Sequence, residues 1–183
     1  RWIWRGWCAV LILGCLAVAF VLYDANLGGH AERYSALSQY LVFDDDWGTQ
    51  RGMVWRLALD DYKNEFTWNE KVFGFGPDTY GILTWDFRQD ALDRYGVFYE
   101  SAHNEYFQYL VTMGPLALVS YLAFLGGTCV QMCKKWKECA WILAPVLAVL
   151  CYGAQAVVNI NLPIATPIMW AMLAIGLALT REK

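Results

Sequence analysis

Two side chains in the polar middle of this sequence have chemistry of interest, one able to accept a proton and one to carry a fixed positive charge. His103 lies in Ser101-Ala102-His103-Asn104-Glu105-Tyr106-Phe107, which leads straight into an apolar run. Imidazole exchanges a proton near neutral pH, so a positioned histidine is a natural general base. Ser101 is a suitable cap for the helix that follows, and this places His103 in that helix's first turn. A helix N-terminus disfavours imidazolium, whereas Glu100 and Glu105 favour it, and a capping or interfacial histidine is the competing reading. His30, after Gly28-Gly29, has no comparable setting and reads as a loop residue.

Arg51 is the second. The stretch from Thr49 reads as a helix with Thr49 as N-cap, and Trp55, Ala58, Leu59 and Tyr62 recur at i, i+3, i+4 and i+7 to form one apolar face. Arg51, four residues before Trp55, falls on that inward face, where a guanidinium either snorkels, pairs with a carboxylate or meets an anion. Arg56, Asp60 and Lys63 share the opposite face and read as solvated neighbours.

Between these residues lies Phe73-Gly74-Phe75-Gly76-Pro77-Asp78-Thr79-Tyr80-Gly81. Its glycines permit positive φ and close backbone approach, and successive amides in such a turn can form an anion-binding nest. No Gly-Lys-Ser/Thr follows, so it is not a P-loop. Asp44-Asp45-Asp46 has a metal-binding D-x-D spacing, but a solvated charge run is the better reading.

The elements that position these residues are membrane helices. Of the 183 residues 58% are apolar and only 17% charged, against about 25% in ordinary soluble domains. Residues 7–23, 106–133, 140–158 and 162–180 are uncharged runs, each near the length needed to cross about 30 Å of hydrocarbon. Gly114-Pro115 is expected to kink the second run without ending it. The fold class that follows is an all-α polytopic membrane protein with four transmembrane helices. Its organisation is a first span over 1–23, a large, partly helical loop over 24–106, and a three-span region over 107–183.

Charge sets the orientation. Arg1, Arg5, Lys134, Lys135, Lys137, Arg181 and Lys183 all fall on one side of a four-span chain, which is the cytoplasmic side. The loop is then on the outer side of the membrane. It holds fifteen of the seventeen acidic residues but only seven of the fourteen basic ones, so nucleic acid is excluded as its partner. The spans themselves carry almost no ionisable group, which argues against a channel or proton pump. The six cysteines all lie outside the loop, and their spacing fits no zinc site. No metal or cofactor is called for.

In order, Arg51-x-x-x-Trp55, the Gly74-Phe75-Gly76 turn, and His103-Asn104-Glu105-Tyr106-Phe107-Gln108-Tyr109-Leu110 running on through Met113-Gly114-Pro115-Leu116 resemble the O-antigen ligase and polymerase superfamily. The resemblance covers residues 45 to 125 by motif. It implies an inner-membrane glycosyltransferase whose donor is a glycan on undecaprenyl diphosphate. The implied acceptor is lipid A core for a ligase, or another lipid-linked glycan for a polymerase. His103 matches the family's proposed base, and Arg51 its diphosphate-binding arginine. Trp55, Gly74, Gly76, Asn104 and Glu105 are the implied substrate contacts. Family members have ten or more spans, so the remaining transmembrane helices of a longer chain are expected partners, and this portion is not expected to act alone. A different class of reading is a non-catalytic membrane subunit whose acidic, aromatic loop binds glycan or protein.

Overall fold

The structure, a computed structural model, describes residues 2–96 and 98–181, the side chains of 88–90 excepted. The flanking basic residues Arg1 and Lys183 therefore lie outside the described residues. All regular structure among the described residues is helical: α1 (Trp2–Asn26), α2 (Ser38–Leu41), α3 (Trp47–Asn64), α4 (Trp68–Phe73), α5 (Tyr80–Leu83), α6 (Arg88–Tyr95), α7 (Glu105–Lys134), α8 (Leu143–Ala156) and α9 (Thr166–Leu179). Two of these, α1 and α7, are long and apolar enough to cross a membrane, and the third and fourth apolar runs fold as shorter helices. The chain forms two compact units, Arg1–Arg56 and Leu57–Lys183.

In the first unit, α1 exposes its apolar side chains along most of its length and buries only Asp24 and Ala25 near its end. Asn26 ties that end to the following segment, donating to the carbonyls of Leu22 and Leu41 and accepting from the amide of Phe43. Thr49 does not cap α3. Gly48, Thr49 and Gln50 all have left-handed φ, whereas a cap residue is extended. The amides of Gln50 and Met53 are satisfied by the carbonyls of Asp46 and Asp45. The acidic run thus wraps over the helix start so closely that a Cβ on Gly52 would sit 1.8 Å from the Asp44 carbonyl oxygen.

In the second unit, α7 is not one helix. Tyr121 donates to a carboxylate oxygen of Glu105 at 2.7 Å although the two are 16 residues apart. A straight helix would separate them by about 24 Å. Tyr109 and Tyr121 likewise stack with ring centroids 4.7 Å apart. The helix therefore breaks at Gly114 (φ 82, ψ 165) into an arm over 105–113 and an arm over 115–134 that fold back on each other. The expectation of a kinked but continuous helix is corrected. Pro115 fits naturally as the first residue of the second arm, where its missing N–H costs nothing.

The broken helix leaves carbonyls without their usual donors, and the loop supplies them. The amide of Phe75 donates to Val111 O at 3.0 Å, and that of Gly76 donates to Thr112 O at 2.8 Å. The second arm then packs Tyr121, Leu125, Cys129 and Met132 against Ile142, Val146 and Val149 before and along α8, and against Met169 and Leu173 of α9. These recur at i, i+4, i+7 or i+8, so each helix contributes one face. Gly176 lets Met132 come close, the small-residue device by which membrane helices gain contact.

Candidate active site

His103 lies just before α7, not in its first turn. The helix cap is Asn104, whose side chain accepts from the amide of Phe107 at 3.0 Å, so the expectation that Ser101 caps the helix is corrected. Ala102 is fully buried, and its amide donates to the side-chain oxygen of Gln108 at 2.8 Å. His103 is thus held between two fixed neighbours. It adopts φ 48, an uncommon backbone state for a residue with a side chain, costing of order 1–3 kcal/mol. Its ring meets that of Tyr99 edge to face at 6.2 Å. A strained backbone anchored on both sides holds the His103 Cα in place.

Glu105 turns away from solvent. It is 2% exposed and accepts from Tyr121 through one oxygen and from Tyr152 of α8 through the other, each at 2.7 Å. A small cavity beside it is lined by Tyr152, Gln155, Ala156, Asn159, Ile160, Leu162 and Ala165. Next to it, Tyr106 donates to the carbonyl of Gly153 at 2.7 Å.

The glycine turn is not an open nest. The amide of Gly74 donates to Glu70 O, and those of Phe75 and Gly76 to the broken α7, so none of the three is left for an anion. The turn follows α4, which begins with a capping box: Thr67 accepts from the Glu70 amide, and Glu70 accepts from the Thr67 amide. The Thr67-x-x-Glu70 spacing is the sequence signal of this box.

In the first unit, Arg51 is half-buried on the inward face of α3. One of its terminal nitrogens donates to Gly48 O, while its Nε is buried with no hydrogen-bond partner among the described residues. A buried donor left unfilled is rare and costly in proteins, and more so on a cation. Trp55 packs on Trp47 with ring centroids 5.4 Å apart, and Trp47 on Phe43 at 4.9 Å. Arg56, Asp60 and Lys63 are exposed, as the helical register requires. Arg56 forks onto Asp45, Nε to Oδ1 at 2.8 Å and Nη2 to Oδ2 at 2.6 Å. This unit also contains a cleft of about 610 Å³ lined in part by Ser38, Gln39, Tyr40, Asp44, Asp46 and Thr49.

Two clusters were missed from the sequence. Asp24 accepts from Tyr34 at 2.9 Å and pairs with Nδ1 of His30 at 2.7 Å, so His30 is not a bare loop residue. The i, i+6 spacing across Gly28-Gly29 carried no recognisable signal. Asp61, on the buried face of α3, is 7% exposed, and its Oδ2 has no hydrogen-bond partner among the described residues. Burial, reinforced by the charges of Glu65, Asp60 and Asp86, pushes its carboxyl up to about 6.

No curated protein and no solved structure matches the chain. A family model does: the one described as O-antigen ligase matches residues 1–122, from α1 through the loop and the break in α7 to the start of its second arm. With two thirds of its length matched, including the strained histidine, the glycine turn and the broken helix that joins them, the chain belongs to the O-antigen ligase family.

Proposed function

We propose that the chain is the catalytic portion of a membrane glycosyltransferase of the O-antigen ligase type, which moves a glycan from undecaprenyl diphosphate onto a sugar hydroxyl such as one of lipid A core. The observation that carries this reading is His103, held in a strained backbone state between a buried alanine and a capping asparagine. In the reaction the acceptor oxygen forms a bond to the anomeric carbon as the bond from that carbon to the diphosphate breaks. The acceptor proton passes to the His103 imidazole, and undecaprenyl diphosphate leaves with the bonding pair. Direct attack of this kind inverts the anomeric carbon.

Arg51 meets the negative charge that builds on the diphosphate, and its unfilled Nε supports that role. The cleft lined by Gln39, Tyr40, Asp44 and Asp46 suits neutral sugar hydroxyls, and its carboxylates repel phosphate. Gly74 and Gly76 serve the site by supporting α7, and Asn104 by capping it. The apolar α1, the second arm of α7, and α8 and α9 act as four spans, with residues 24–106 in the periplasm. Seven flanking basic residues on one side support that orientation.

The test is to delete the full-length protein from its own cell and examine lipid-linked glycan. Accumulated polymer is the result expected for a ligase. Accumulated single repeats would make the protein a polymerase, and an unchanged pool would remove it from both reactions.

A further inference from the structure

The carboxylate of Glu105 has an unusual place for a charged group. It is 2% exposed at the start of a helix that packs on two apolar helices, where an ionisable side chain is expensive unless it is hydrogen-bonded. Here each oxygen accepts one hydrogen bond, and the two come from different directions. Tyr121, on the second arm of α7, and Tyr152, on α8, each donate a hydroxyl at 2.7 Å. The Tyr152 hydroxyl is also 2.8 Å from that of Thr166 at the start of α9, and Thr166 donates to Asn161 Oδ1 at 2.7 Å. A single carboxylate thereby joins both arms of the broken helix to α8, with α9 behind. Two residues before it stands His103.

We propose that Glu105 is a positioning residue for the His103 base: its clamped carboxylate fixes the first turn of α7, and through the Asn104 cap that turn fixes where the imidazole points. The inference rests on the reading of His103 given above. It assigns Glu105 no contact with substrate, because the side chain is almost fully buried and each oxygen already holds a tyrosine hydroxyl. The anchorage is needed because the first arm is only nine residues long and ends at a break. Without a tie at its start, the arm can rotate or slide on α8, and a misplacement of about 1 Å costs of order 10²-fold in rate.

The experiment uses purified full-length enzyme with lipid-linked donor and sugar acceptor, and compares Glu105→Ala, Glu105→Gln, His103→Gln and the double variant Glu105→Ala/His103→Gln. Glu105→Ala is expected to lower kcat about 10²-fold with little change in donor KM. Glu105→Gln, which keeps the shape and can hold both hydroxyls, recovers most of that loss. Because Glu105 acts through His103, its substitution adds almost nothing in the His103→Gln background. Losses that multiply in the double variant, or equal losses in the Ala and Gln variants, would overturn the positioning role. So would a kcat per folded enzyme that is unchanged in Glu105→Ala. Near-wild-type turnover by His103→Gln alone would sink the base reading itself, and that is seen independently of Glu105. Should Glu105→Ala not fold, Tyr152→Phe removes one of the two clamping donors. It must then show a smaller kcat loss with the same dependence on His103, and a loss independent of His103 would overturn the proposal.

Discussion

Gly74 presses on the backbone of Thr112 and Met113 while Gly114 presses on that of Val72 and Phe73, each glycine at a positive φ of about 80°. A Cβ on Gly74 would lie 2.3 Å from the carbonyl carbon of Thr112, and one on Gly114 would lie 2.2 Å from the carbonyl oxygen of Val72. Neither neighbour is a flexible side chain that could move aside. Gly114→Ala is therefore expected to destabilise by more than the roughly 1–3 kcal/mol of backbone strain alone, because overlap adds to it. Thermal unfolding of the full-length protein in detergent checks this. Wild-type stability for both Gly74→Ala and Gly114→Ala would mean that the turn does not seat against the broken helix.

Arg51→Ala and Arg51→Lys are expected to be nearly equally damaging to glycan transfer. A planar fork and a point charge do not bind a diphosphate alike. Arg56→Ala removes an exposed pair with Asp45, worth about 1 kcal/mol or less, and leaves transfer nearly intact. Kinetics on both variants at matched expression decide it, and equal activity losses at the two positions would contradict the assignment of faces on α3.

Asp61 makes the loop's stability depend on pH. Its carboxyl titrates near 6 in the folded loop against an ordinary value of 3.8, so the folded state holds the proton more tightly. That contribution is fully present below about pH 4 and is lost as pH rises through about 6. Asp61→Asn, which cannot ionise, is expected to flatten this dependence and to stabilise the loop above pH 6. Hydrogen exchange of the second half of α3 across pH 4 to 8 is the measurement. Protection that is pH-independent in the wild type, after correction for intrinsic exchange, would contradict it.

Orientation is tested by labelling. In a cysteine-free background, Asn64→Cys, exposed at the end of α3, is expected to react with an impermeant thiol reagent in cells whose outer membrane alone has been opened. A cysteine at Lys135 should not. Reaction at position 64 only after the inner membrane is breached would invert the topology.

Much of this architecture was legible in the residues. The apolar runs located α1, α7, α8 and α9, and the helical register of α3 placed Arg56, Asp60 and Lys63 outward and Arg51 inward. Local rules failed where a distant segment intervened. Gly114-Pro115 reads as a kink because nothing local says that Glu105 will bond Tyr121, which needs α8 and its Tyr152 to complete the clamp. Gly74-Phe75-Gly76 reads as a nest because isolated amides look free, and only the broken α7 supplies carbonyls that use them. Ser101 and Asn104 are equally good caps by residue type, and the choice fell to Asn104 once Gln108 held the Ala102 amide.

In the proposed reaction His103 removes the proton of the acceptor hydroxyl. General base catalysis contributes about 10²- to 10⁴-fold, and glutamine keeps the size and hydrogen bonding of histidine but cannot take the proton. The direct measurement is glycan transfer by purified full-length His103→Gln and wild type, with lipid-linked donor and acceptor, across pH 5 to 9. The expected result is a folded variant that still binds donor, transfers at least about 10²-fold more slowly, and lacks the wild type's fall in activity on the acid side. Near-wild-type turnover by His103→Gln, with the acid limb intact, would contradict it.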